Sequence, residues 1–66
     1  MEDNWINVIS FQKMYLAEIA KEVLEDNGIK AVIMNKQDAS YKFGDIEIYV
    51  QLDDLEVAKD LIKDIE

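Results

Sequence analysis

The order of its hydrophobic patterns is the feature that most constrains how this 66-residue chain can fold. Three β-branched and aromatic runs, over residues 5–11, 29–35 and 46–51, have the composition of strands. Two further segments carry apolar residues at three- and four-residue intervals, which is typical of helices that bury one face. The pattern predicts a single domain over residues 1–66 with the order strand, helix, strand, strand, helix.

The first helix is predicted over residues 12–26, where one face carries Leu16, Ile19, Ala20, Val23 and Leu24. It should end at Asn27 and Gly28, because glycine adopts the left-handed backbone conformation of a helix C-cap without steric cost. Ile29 would then fold back onto the last turn.

The second helix is predicted to start at an N-cap, Asp53, with Glu56 three residues later as a capping-box partner. Its apolar stripe consists of Leu55, Ala58, Leu61, Ile62 and Ile65.

Three strands and two helices of this length pack most simply as two layers, with both helices on one face of the sheet. The third strand should lie between the other two and be antiparallel to its neighbours. We therefore predict an α+β fold of βαββα order, a ferredoxin-like two-layer sandwich whose antiparallel sheet has three strands and lacks the fourth.

One face of such a sheet has no layer over it, and the alternation of the third strand places Tyr49 there. Trp5 and Ile9 share that face if Ile6 and Val8 point to the core, so Trp5, Ile9 and Tyr49 are candidate interface residues. Either Val32 and Met34 or Ala31 and Ile33 complete it, and the residues alone do not decide between these pairs. An aromatic-rich patch on a small domain favours homodimerisation or docking of another protein.

Charge and composition exclude several partners. Fifteen acidic residues against seven lysines, with no arginine, give a net charge of −8, which repels phosphate backbones, so no nucleic acid is expected. Apolar runs do not exceed four residues, far fewer than a membrane span needs. The start of the chain does not resemble a secretion signal, and the absence of cysteine fits a reducing compartment. These features predict a soluble cytoplasmic protein.

Catalytic side chains are scarce. The chain has no histidine to act as a general base near neutral pH and no cysteine to act as a strong nucleophile. Asp38 and Asp45 alone would make an incomplete shell for a hard cation. We therefore expect no enzyme activity, no cofactor and no metal site.

The polar and aromatic segment over residues 35–45 is longer than most hairpin connections. In one interpretation it is structural, with its aromatic residues sealing one end of the core. In the other it binds a small molecule or a partner, with lysines for charge, polar groups for hydrogen bonds and a tyrosine for stacking. The candidate binding residues are Asn35, Lys36, Asp38, Ser40, Tyr41 and Lys42.

Several short segments along nearly the whole chain form a recognisable set: Asn4-Trp5, Leu16–Ala20, Leu24, Asn27–Ile29, Asn35–Asp38, Ser40-Tyr41, Phe43–Asp45 and Glu47–Val50. In these segments the chain resembles a small bacterial family of signal-transducing proteins whose function is unknown. The resemblance implies a fold like that of PII-type regulators and a regulatory role, and it implies no particular ligand or catalytic residue.

Overall fold

The computed structural model of the protein describes residues 4–35 and 46–65. The elements are β1 (Trp5–Phe11), α1 (Met14–Asp26), β2 (Ala31–Asn35), β3 (Ile46–Gln51), a 3-10 turn (Leu52–Asp54) and α2 (Leu55–Ile62). The predicted βαββα order is confirmed.

The sheet has the order β1-β3-β2, and β3 is antiparallel to both of its neighbours. Its inward side chains meet α1 and α2, which contact each other as well as the sheet. The buried core consists of Phe11, Ala17, Ala20, Leu24, Ile29, Ala31, Ile46, Ile48, Val50, Ala58 and Ile62. The predicted ferredoxin-like α+β arrangement is confirmed, with three strands in the described part of the chain.

The end of α1 is a Schellman motif. The Ile29 N–H donates to the Leu24 carbonyl at 2.9 Å, and the Gly28 N–H donates to the Glu25 carbonyl at 3.0 Å. Gly28 has φ +82°, and the Asn27 side-chain amide donates to the Val23 carbonyl at 2.8 Å. Because Ile29 belongs to this motif, β2 begins at Ala31 and not at Ile29 as predicted.

The face of α1 that packs on the sheet differs from the predicted stripe. Ala17, Ala20 and Leu24 are fully buried, whereas Ile19 is 45% exposed. Ile19 lies two residues beyond Ala17, which is about 200° around the helix. Two alanines at the contact let the helix lie close to the sheet. With this face of α1 against the sheet, Ile19 points outward. The prediction that Ile19 belongs to the core was wrong.

The start of α2 also differs from the prediction. Leu52–Asp54 form the 3-10 turn, and the N-cap is Asp54, which makes no capping hydrogen bond through its side chain. Asp53 therefore lies inside the turn, and the predicted capping box with Glu56 does not form. The predicted apolar stripe is confirmed, with two fully buried positions and three packed at the margin of the core: Ala58, Ile62, Leu55, Leu61 and Ile65.

Gly28→Ala should lower the free energy of unfolding by about 1 kcal/mol. A Cβ atom at Gly28 would have nothing within 4 Å, so the loss comes from the positive φ angle and not from a clash. Urea denaturation measures it. Gly28→Asn is the matched control and should lose less, because asparagine tolerates the left-handed conformation better than alanine. Equal losses in the two variants would contradict this explanation.

Candidate interaction surface on the open sheet face

The strand register assigns each side chain to one face of the sheet. Ala31 pairs with Val50 and Ile33 pairs with Ile48, so both point to the core side. Val32 pairs with Tyr49 and therefore lies on the opposite face, which the helices do not cover. Of the two pairs that the sequence allowed, Val32 and Met34 are thus the ones on the open face.

An apolar groove of about 270 Å³ runs across all three strands on this face. Its lining residues are Trp5 from β1, Tyr49 from β3, and Val32 and Met34 from β2. Val32 is 41% exposed and Met34 is 46% exposed, while both aromatic residues are half-buried. The structure therefore brings the predicted candidates Trp5 and Tyr49 together with two exposed aliphatic side chains.

A hydrogen bond marks one end of the groove. The Tyr49 hydroxyl donates to Oε1 of Glu47 at 2.6 Å, which holds the ring down along its own strand. Glu47 pairs with Met34 on β2 and with Ser10 on β1, so its carboxylate lies on the open face beside the groove.

Ile9 lies on the core side, contrary to the expectation that it shares the open face. The register of β1 shifts between Asn7, which pairs with Tyr49, and Ile9, which pairs with the buried Ile48. The extra residue in this β-bulge is Val8, and both Val8 and Ile9 pack against the core. The bulge thus puts two successive side chains on one side, which strict alternation does not allow.

Asn7 supports the bulge and was missed by sequence reasoning. Its side-chain amide donates to the Ile9 carbonyl at 3.1 Å and to the Ile48 carbonyl at 3.3 Å. These bonds tie the displaced part of β1 to its own strand and to β3. The available signal was an asparagine, a residue depleted in strands, inside an otherwise β-branched run.

Charge is divided unevenly between the two layers. Glu47 is the one residue of the three strands that is charged at neutral pH, whereas α1, α2 and the turn before α2 carry eight acids and two lysines. Lys21 pairs with Glu25 at 3.1 Å on α1, and Lys63 pairs with Asp60 at 3.4 Å just beyond α2. Among the described residues, the open face therefore carries little charge, although the protein as a whole is strongly acidic.

The candidate residues of the 35–45 segment are largely untested. Asn35 ends β2, is exposed and pairs with Ile46. The other five, Lys36, Asp38, Ser40, Tyr41 and Lys42, lie outside the described residues.

The described residues contain neither a metal-binding cluster nor a membrane-spanning helix. No group of three or more histidine, cysteine or acidic side chains is placed to hold a metal ion. Neither helix in that part of the chain has the length and apolarity to cross a membrane.

The fold and this surface define a small α+β module with one layer of helices and one uncovered, largely apolar sheet face. Residues 5–66 match the family described as "Putative prokaryotic signal transducing protein", and the chain belongs to that family. No curated protein and no solved structure matches the chain significantly. The family description names a role in signalling and does not describe an enzyme.

Asn7→Ala should lower the free energy of unfolding by about 1 kcal/mol, because it removes two hydrogen bonds from a partly exposed site. Asn7→Asp should lose more, since a carboxylate cannot donate to the two carbonyls and would repel them. Urea denaturation measures both, with Ser10→Ala, also exposed on β1, as the control that should change little. A stability of Asn7→Asp equal to that of the wild type would refute the role assigned to the amide.

Proposed function

We propose that this protein is a non-enzymatic regulatory module of signal transduction that works by association, and that its copies associate through the open sheet face. The apolar groove between Trp5, Val32, Met34 and Tyr49 carries the proposal. Family membership supports the signalling role. The lack of histidine and cysteine in the sequence supports action by binding over catalysis.

The dimensions of the domain suit such an interface. It measures 35 × 30 × 15 Å, so it is a flat slab with the sheet on one of its broad faces. Two slabs joined at their sheet faces would have the helices outside and the groove residues of both copies between the sheets.

The size of the chain adds a thermodynamic reason for association. A domain of about 60 residues buries only about 60% of the surface that its unfolded chain exposes, and its stability is correspondingly small. Covering the exposed parts of Val32 and Met34 removes further apolar surface from water, at about 25 cal/mol per Å². The stability of the dimer should therefore rise with protein concentration.

Tyr49→Glu should convert a self-associating wild type into a monomer, because it places a second carboxylate beside Glu47 on the surface to be buried. Sedimentation velocity over a range of concentrations measures the change. Tyr15→Glu is the matched control and should associate like the wild type, since Tyr15 is 59% exposed on α1.

A second pair of variants separates loss of association from loss of folding. Val32→Glu on the open face should dissociate the protein, and Val57→Glu on the exposed side of α2 should not. Circular dichroism checks that each variant is folded. A wild type that stays monomeric at high concentration, or equal effects of the two valine variants, would overturn the self-association.

A further inference from the structure

The charged residues around the open face carry an inference about how two copies are oriented, and it rests on the self-association proposed above. Lys30 precedes β2 and lies between Ile29 and Ala31, which are both buried. Lys30 is exposed, and continuing the alternation of β2 back by one residue assigns its side chain to the side of Val32 and Met34. Of the residues that the structure describes, the open face thus has Lys30 near one end and the Glu47 carboxylate near the other.

The register gives the positions of these two charges. Met34 pairs with Glu47, and Ala31 pairs with Val50, so Lys30 lies four residues from Met34 along the same chain. At about 3.3 Å per residue the two ends of the face are about 13 Å apart. The row formed by Val32, Tyr49 and Asn7 lies midway between them.

Two sheets that stack face to face keep their strands roughly aligned, which leaves two simple two-fold axes. One axis crosses the strands along the row of Val32 and Tyr49, and it exchanges the two ends of the face. Lys30 then lies over the partner's Met34, and in the plane of the sheet it is offset by one strand spacing, about 4.8 Å, from the partner's Glu47. The two long side chains span the roughly 10 Å between the stacked sheets. Because the axis is two-fold, the same contact forms twice.

The other axis runs along β3 and keeps each end of the face over the same end of the partner. It brings Lys30 near the partner's Trp5, a favourable contact between a cation and a ring. However, it also places Glu47 over the partner's Glu47, where two carboxylates would repel each other in a poorly hydrated interface. The charge pattern favours the first axis for two reasons: Lys30 and Glu47 attract each other in that arrangement, and the two Glu47 carboxylates repel each other in the alternative.

We propose that Lys30 and Glu47 form two reciprocal ion pairs between copies of this chain and thereby select the two-fold axis that crosses the strands. The apolar groove residues supply the buried surface, and the ion pairs determine the orientation. In this arrangement the Glu47 carboxylate retains the hydrogen bond from Tyr49 while it faces the lysine of the other copy.

A charge swap tests the pairing. The dissociation constants of the wild type, Lys30→Glu, Glu47→Lys and the double variant are measured by sedimentation equilibrium at low ionic strength. Each single variant should bind at least about tenfold more weakly, because it places like charges opposite each other twice. The double variant should return to within about threefold of the wild type, since it restores both pairs with reversed polarity.

Two controls separate pairing from net charge. Lys59→Glu and Glu56→Lys make the same changes in net charge on α2 and should alter the dissociation constant by less than about threefold. Suppose that the wild type associates but the dissociation constant of the double variant rises by the product of the two single-variant increases. The ion pairs are then refuted and the self-association stands. A monomeric wild type would refute the proposed function itself.

A cross-link tests the axis independently of charge. The chain contains no cysteine, so Val32→Cys introduces a unique thiol close to the axis that crosses the strands. A short bifunctional maleimide should join two copies efficiently, because the two thiols face each other. With the axis along β3 they would be displaced sideways by about 10 Å, or two strand spacings. Failure of Val32→Cys to cross-link while it still associates would overturn the proposed axis, and Val57→Cys gives the background rate.

Discussion

The pairing of β3 with both other strands is the interaction on which the rest of the structure depends. Ile46, Ile48 and Val50 are at most 1% exposed, and they anchor the layer to which both helices pack. Since side chains alternate along a strand, burying these three residues turns the intervening ones to the other face. A slip of one residue in the register would exchange the core for the open face, so the same contacts that form the core also position Tyr49.

The sequence predicted the parts of the fold that depend on local pattern. The order of the elements along the chain, the Schellman motif at Gly28 and the stripe of α2 all follow from periodicity or from one residue's backbone preference. Ile19 was assigned to the wrong side because periodicity identifies an apolar face without fixing which edge of that face meets the sheet. Asp53 has the side chain of a good N-cap, but the 3-10 turn after β3 moves the N-cap of α2 one residue further along the chain, to Asp54.

The candidate surface could be predicted only in part, because its composition depends on pairing between strands. The choice of Val32 over Ala31 follows from the partner of each residue on β3, which the sequence of β2 does not specify. The position of Ile9 depends on a bulge that inserts Val8 and is held by Asn7. A bulge of this kind satisfies backbone groups on two strands at once, so its signal is spread over residues about 40 positions apart.

The distribution of charge explains how a protein with net charge −8 could associate with itself. Repulsion between copies depends on the separation of their charges and falls off within about 8 Å at physiological ionic strength. Most described acids lie on the helical layer, and a pair of copies joined at the sheets would keep those layers far apart. Contact through the helices would instead bring acidic surfaces together. The distribution of charge therefore favours the proposed association through the sheet face over contact through the helices, and the proposed orientation places Lys30 opposite Glu47.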